Sequence, residues 1–487
     1  MADGTIRPAG VGGSDPHLKI EYLFDLQEVG WSNPRMPWRE LEVRLSDRPF
    51  DPAPRSVSSG EGRSVPAAEW SRPPDRRSST LVDMRSASRS LSVVPTTDAR
   101  QRIVALAIGV VAASAGGLVL AAADGTLTDL PGLLLLVPGA IALRGNVFGA
   151  MGSRLGTAVH TGTFRLSGRV DGVVGQNLLG ASVLTLALSA LLGLMARGTA
   201  IVFGIAPTMG VADFVVVSTV GGLLASVVVG AVSLGLAAGS VRFGWDLDNV
   251  TAPLVSTLGD LATVPALVVA ATLADRSGLT EAVGGVLGLV AVVALVAAWR
   301  TSLVDVRRIV RQSVPVLVAA GLLDLVAGVT IEKRLDDLLA AEALLVVLPA
   351  FLGTAGALGG ILSSRLSTQF HLGLDDATPL PSRSSFREAR SLGLLAVPVF
   401  AFCAVVAQWA SVATGQTTPG LGDLMAVVLL AGVAATVLVV VVAYYTTMAA
   451  FRFGLDPDTY GIPVVLSTLD LAGAFALILA MVAVGVV

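Results

Sequence analysis

A single cysteine, Cys403, stands in a chain of 487 residues, so neither an internal disulfide nor a thiolate metal cluster can form. Charge is scarce too. Asp, Glu, Lys and Arg make up 14% of the sequence, against roughly 25% in an ordinary soluble domain. The shortage is uneven: residues 1–100 hold 14 Lys/Arg and 14 Asp/Glu, while the 387 residues after them hold 19 and 22, or about 11%. So apolar a body cannot present a water-facing surface, which excludes a large soluble enzyme. A net charge of −3 also lacks the concentrated basic face that a nucleic-acid binder needs. No enzymatic activity, resident cofactor or nucleic-acid partner is expected. Lysine is confined to Lys19 and Lys333 beside 31 arginines, which points to a high-GC genome rather than to a mechanism. No apolar run precedes Ile103, so no cleavable signal peptide is visible.

Long apolar runs are what the sequence does have, and mean hydropathy is +0.76. Crossing roughly 30 Å of hydrocarbon takes about 20 mostly apolar residues. Runs at 103–123, 131–152, 173–195, 212–240, 249–273, 283–299, 313–330, 338–362, 391–413, 421–449 and 459–486 predict about eleven transmembrane helices in an all-α integral membrane protein. With the N-terminus cytoplasmic, thirteen arginines fall in inner loops, and only Arg197, Arg276, Lys333 and Arg334 fall in outer ones. That asymmetry predicts a multi-pass protein of the cell membrane, embedded in the lipid bilayer, with a cytoplasmic N-terminus and an extracellular C-terminus. Residues 1–100 read as a polar, largely disordered cytoplasmic arm. Arg48–Arg102 is rich in Ser, Pro and Arg, and residues 16–45, with Leu18, Tyr22 and Trp31, form one apolar patch.

The body is a duplication. Residues 138–162 align without gaps to 349–373, and nine of 25 positions are identical, including Pro138/Pro349, Gly145/Gly356, Gly149/Gly360, Arg154/Arg365 and His160/His371. Residues 242–262 align to 452–472 with ten of 21 identical, including Asp246/Asp456, Asp248/Asp458 and Asp260/Asp470. Shared membrane composition matches Leu and Val by chance, but not Arg, His, Asp, Pro and Gly at nearly one offset. The expected domains are repeat one at 101–275, a linking transmembrane helix at 276–304 and repeat two at 305–487. Five spans per repeat would invert the second copy, and the linking span restores a parallel orientation. Two parallel five-helix repeats imply a pseudo-two-fold axis along the membrane normal.

Ionisable groups inside spans cost several kcal/mol and default to functional candidates. Asp260 and Asp470 follow Asp248 and Asp458 by 12 residues, about 18 Å along a helix and slightly past mid-membrane. Two facing carboxylates repel unless a cation or proton lies between them, and a pair suits Mg²⁺, which keeps most of its waters. Helix bracing through Ser or Thr is the alternative. Asp324, whose repeat-one counterpart is Ala113, breaks the symmetry. Pro138 with Gly145, Asn146 and Gly149 is expected to interrupt its span and expose carbonyls to a cavity. Asn146 offers an amide oxygen to a hydrated cation, and its counterpart is Ala357. Gly356 and Gly360 repeat the pattern, with helix packing alone as the other reading. Ser256, Thr257 and Ser467 precede the paired aspartates as pore-lining candidates. Asp246, Asp248, Asp456 and Asp458 sit at the inner mouth, as cation-concentrating charges or as solvated loop residues and helix caps. Arg154 and Arg365 are expected to anchor helix ends at anionic headgroups, and His160 and His371 to be interfacial.

The segments VPGAIALRGNVFGAMGSRLGTAVHTG and DNVTAPLVSTLGDLATV, with their repeats LPAFLGTAGALGGILSSRLSTQFHLG and DTYGIPVVLSTLDLAGA, resemble the membrane domain of the MgtE magnesium transporters, and more closely the two-copy solute-carrier family 41. The resemblance covers about 101–487 and implies Mg²⁺ transport along a central path lined by the second and fifth helices of each unit. It implies a pore aspartate at Asp260 and Asp470 and a Gly-Asn element at Gly145 and Asn146. The cytoplasmic sensing domains of MgtE have no counterpart in residues 1–100. With Mg²⁺ or a related divalent cation as substrate and the two units fused, a monomer suffices for one pore. An exchanger coupled to Na⁺ or H⁺ is the alternative, motivated by Asp324. An intramembrane aspartyl protease is a distant one: Gly259-Asp260 and Pro265-Ala266-Leu267 match its motifs only in part, and Leu469 precedes Asp470.

Overall fold

The computed structural model describes residues 96–487 other than 168, 207, 244–246, 275–277, 456–459 and 487. For 96–101, 160, 243, 247–254, 256 and 257 it describes the helical backbone alone. The arm expected at 1–100 and the inner-mouth residues Asp246, Asp456 and Asp458 therefore lie outside the described residues, apart from the helical backbone from Thr96 onward.

The described residues are helical and contain no strand. Hydrocarbon offers no partner to backbone N–H and C=O groups, so a spanning segment must satisfy them within itself. In chain order the helices are α1 (Thr96–Ala121), α2 (Asp124–Asp129), α3 (Leu133–His160), α4 (Val173–Val202), α5 (Val211–Phe243), α6 (Leu247–Ala271), α7 (Leu279–Arg300), α8 (Val304–Glu332), α9 (Leu335–Ala340), α10 (Ala343–His371), α11 (Arg383–Thr414), α12 (Leu421–Phe453) and α13 (Ile462–Val484). Among the described residues ten helices are long and apolar enough to cross a membrane, and α6 shows its apolar stretch at Leu258–Ala271. α1 to α6 recur as α8 to α13, down to the six-residue helices α2 and α9, each pinned by one buried leucine, Leu127 and Leu338.

One expectation is corrected here. Pro138 and the glycines after it do not interrupt α3, which runs unbroken from Leu133 to His160. Proline sits in the second turn and removes a single backbone hydrogen bond. Downstream, no water competes for the backbone of the glycine-containing turns, so a membrane helix tolerates them.

Helix packing follows the duplication pair by pair. α3 packs on α4, α5 and α6, as α10 packs on α11, α12 and α13. The first helix of each copy, however, is shared with the other copy. α1 lies against α10 and α11 as well as α6, and α8 lies against α3 and α4 as well as α13. Two glycines permit this exchange. A Cβ on Gly117 would fall 2.7 Å from the Val346 Cα, and one on Gly328 would fall 2.9 Å from the Leu135 Cα. These four residues are repeat counterparts at an offset of 211, and Val346 and Leu135 are fully buried. Small residues at a crossing let backbones come within contact distance, which is how helices gain packing energy where lipid is as apolar as leucine. α7 packs mainly on α4, α5 and α8, and most of its apolar side chains face outward.

Gly117→Val and Gly328→Val each place a branched side chain against backbone that cannot yield. We expect each to cost about 1–3 kcal/mol or more, read as a lowered unfolding temperature of the detergent-purified protein. A shift for one glycine and none for the other would break the equivalence of the two crossings.

Candidate functional site

The exchange of first helices brings three carboxylates together. Asp260 lies halfway along α6 and is buried, with its Oδ2 directed at α10, where a Cβ on Gly353 would stand 2.9 Å away. Asp470, its repeat counterpart on α13, is half-buried. Asp324 on α8 is 1% exposed, with its Cβ facing Gly139 of α3. Asp470 lies within Coulombic reach of both other carboxylates. Among the described residues none of the three forms an ion pair, and neither Asp260 nor Asp470 accepts a hydrogen bond. The bracing of these two by Ser or Thr therefore finds no partner among described side chains; those of Ser256 and Thr257, like that of Asp248, are outside them. Ser467 is fully buried on α13, with its hydroxyl set beside the Asp324 carboxyl.

The glycines expected to line a path divide into two kinds. A Cβ on Gly145, Gly149 or Gly360 meets nothing within 4 Å, so these three present open faces rather than tight crossings. Gly356 instead packs on Leu466 of α13, where a Cβ would approach to 3.1 Å. Gly145 and Gly149 are one turn apart, as are Gly353 and Ala357, and all four are half-buried on helices whose other faces are closed. Asn146 is buried at the same level, with its Oδ1 unpartnered. Among the described residues no group of three or more His, Cys, Asp or Glu is arranged to ligate a metal directly. Separated carboxylates beside small-residue faces suit an ion that keeps its water shell.

The neighbouring arginine belongs to a different network. Arg144 is 1% exposed on α3 and donates through Nη1 to the Ala140 carbonyl at 2.7 Å and through Nη2 to Ser189 Oγ of α4 at 2.5 Å. It lies against Gly222 of α5, where any Cβ would collide with the guanidinium. Its repeat counterpart is Ala355, so only one copy carries this buried cation.

Two roles emerge that the sequence does not announce. Arg154 and Arg365, expected at headgroups, bridge to the next helix at equivalent positions: Arg154 Nε donates to Asn177 Oδ1 at 2.8 Å, and Arg365 Nη1 pairs with Glu388 at 2.5 Å. Glu332, at the end of α8, accepts from the backbone N–H of Gly132 at 2.7 Å and of Leu135 at 3.2 Å. Its carboxylate thus caps the free N–H groups of α3 from the opposite copy, where the helix dipole favours negative charge. A separation of 200 residues leaves no local signal for it. Of the two histidines, His371 stacks edge-on to Phe451 with ring centroids 5.0 Å apart, and the His160 side chain is outside the described residues.

A body of long apolar helices that carries three carboxylates, none of them ion-paired among the described residues, defines a polytopic membrane protein. The chain belongs to the MgtE divalent cation transporter family, whose sequence profile matches residues 137–270 and 348–480, one stretch in each copy and together more than half of the chain. Among curated proteins it is similar to solute carrier family 41 member 3 of Mus musculus, 24% identical over 378 residues, covering 72% of this chain and 75% of that protein. It is also similar to member 2 of Xenopus laevis, 25% identical over 375 residues, and of Homo sapiens, 25% over 378; it covers 64% and 63% of their lengths. No solved structure matches the chain. Asp260, Asp470 and Asn146 fall inside the matched stretches, whereas Asp324 lies between them.

Gly353→Ala tests the approach of Asp260 to α10. The obstructed atom is the end of a short side chain, so we expect stability to change by less than about 0.5 kcal/mol while the carboxylate is pushed aside. Divalent-cation uptake into proteoliposomes should fall several-fold, and uptake equal to wild type would remove Asp260 from the path.

Proposed function

We propose that the protein moves Mg²⁺ across the cell membrane along a path between its two repeats, with Asp260 and Asp470 binding the hydrated ion. The observation that carries this reading is the pair itself. Two carboxylates stand at repeat-equivalent positions of α6 and α13 inside a membrane body, with no ion-pair partner among the described residues. Mg²⁺ dehydrates reluctantly and is usually held through one or two carboxylates with waters completing its octahedron. Two negative charges match one divalent cation, and the Gly145, Gly149 and Gly360 faces leave room for its shell. Asn146 Oδ1 accepts from a bound water. Relatives named solute carriers and a family described as divalent cation transporters support the same substrate class.

In this reading the two repeats are related by a two-fold axis along the membrane normal, and the paired packing of α1–α6 and α8–α13 supports it. The N-terminus is cytoplasmic and the C-terminus extracellular. Asp246, Asp248, Asp456 and Asp458 draw cations to the inner mouth. The fused repeats make one chain sufficient for one path.

Asp260→Asn and Asp470→Asn each remove one charge and keep the side-chain volume. Mg²⁺ entry into proteoliposomes, followed with an enclosed Mg²⁺-sensitive dye, is expected to drop at least about tenfold for each, a loss of some 1.4 kcal/mol of ion stabilisation. Undiminished flux in both variants sinks the proposal. Orientation is tested separately in a Cys403→Ser background. A cysteine introduced by Arg387→Cys should react only with reagent on the cytoplasmic side, and one introduced by Thr414→Cys only from outside; the reverse pattern inverts the topology.

A further inference from the structure

The bend between α7 and α8 gathers positive charge that has no part in the carboxylate pair. Arg300 ends α7, and Arg307, Arg308 and Arg311 follow within the first turns of α8. Arg300, Arg308 and Arg311 are exposed, and Arg307 is half-buried. Arg311 folds back on α7: its Nη2 donates to the Trp299 carbonyl at 3.3 Å, and its guanidinium lies 5.9 Å from the centre of the Trp299 ring. Trp299 is itself exposed, at the end of a helix whose apolar side chains mostly face outward, where an indole marks the edge of the hydrocarbon. The loop before α4 adds two exposed arginines, Arg165 and Arg169. Gln176 of α4 ties that loop to the bend. It accepts through Oε1 from the Asp305 backbone N–H at 3.0 Å and donates through Nε2 to the Asp171 carbonyl at 3.1 Å. Asp171 and Asp305 are the acidic residues of 161–172 and 299–311, so six arginines stand against two aspartates. Among the described residues none of the six forms an ion pair. The cluster belongs to one half only. The repeat offset of 211 sets Asp376 against Arg165 and Leu380 against Arg169, sets Thr96 and Thr97 against Arg307 and Arg308, and gives the linking helix no counterpart.

We propose that the α7–α8 bend binds the headgroup of an anionic phospholipid, with Arg300, Arg307 and Arg308 holding the phosphate and Trp299 lying against the glycerol and upper acyl chain. A guanidinium offers paired N–H groups that match two phosphate oxygens, and clustered arginines at the end of a membrane helix draw anionic lipids to it. A headgroup of net negative charge suits an excess of positive charge, whereas a choline headgroup brings its own cation. The occupant is a lipid and not a soluble anion because Trp299 and the outward apolar face of α7 continue the patch into the hydrocarbon. A free phosphate would engage the arginines alone. A headgroup seated there joins the end of α7, which packs along one side, to the start of α8 and the loop before α4. The site stands whether or not Asp260 and Asp470 carry Mg²⁺.

The test is native mass spectrometry of the full chain released from micelles, titrated with phosphatidylglycerol or with phosphatidylcholine of the same acyl chains. Wild type is expected to take its first phosphatidylglycerol at least about tenfold more tightly than its first phosphatidylcholine. Arg307→Gln combined with Arg308→Gln should bring the two lipids within about twofold of each other, mainly by weakening phosphatidylglycerol. Trp299→Ala should weaken both lipids several-fold, because the glycerol and acyl contact is common to them. Arg383→Gln combined with Arg387→Gln removes the same charge from exposed positions at the start of α11 and should leave the preference intact. Inorganic phosphate should displace no more lipid than chloride does at equal ionic strength; greater displacement makes the ligand a soluble anion and overturns the proposal. Equal uptake of the two lipids by wild type overturns it too, as does a preference that survives in the Arg307 and Arg308 variant or falls equally in the α11 variant. Asp260→Asn should keep the preference whatever happens to its Mg²⁺ uptake, so this proposal and the transport reading fail separately.

Discussion

The architecture depends on two helix crossings that only glycine allows. Gly117 of α1 meets the backbone of Val346 in α10, and Gly328 of α8 meets that of Leu135 in α3. Lipid supplies no hydrophobic drive between helices, so association rests on how closely backbones approach and how well side chains interlock. These crossings tie the first helix of each copy to the second helix of the other. Glu332 reinforces one of them by capping α3 from α8. The two copies are therefore not two bundles laid side by side. Each contains a helix that the other needs.

That exchange determines where charge can gather. Asp324 lies one turn before Gly328, so the crossing that seats α8 against α3 also turns Asp324 toward Gly139 and the cavity beside Asn146. On the other side, the approach of α10 to α1 and α6 places Gly353 at the Asp260 carboxylate. Intramembrane carboxylates are expensive, and this body carries three of them.

The duplication is close to symmetric in its helices and asymmetric in its chemistry. Arg154–Asn177 and Arg365–Glu388 show the same bridge made with different partners, neutral in one copy and ionic in the other. Arg144 and Asn146 have only alanines, Ala355 and Ala357, opposite them, and Asp324 faces Ala113 in the pairing. The scaffold repeats because both copies solve the same packing problem. The polar residues diverge between the two copies.

Much of this was legible in the sequence. Apolar runs longer than about 20 residues admit only helices in hydrocarbon, so the all-α class, the segment order and the duplication needed no coordinates. Asp260, Asp470 and Asp324 stood out because charge inside a span is rare. Other features were not legible, for physical reasons. Pro138 and its glycines look like a break in one dimension, but backbone hydrogen bonds that no water contests keep α3 whole. The bridges of Arg154 and Arg365 depend on partners 23 residues away on the neighbouring helix. The sequence by itself determined what must lie in the membrane and which few side chains pay a penalty there. Only the tertiary structure decided which of them meet, because the meeting runs through contacts some 200 residues apart whose strength lies in glycine-sized gaps between backbones and not in any local pattern.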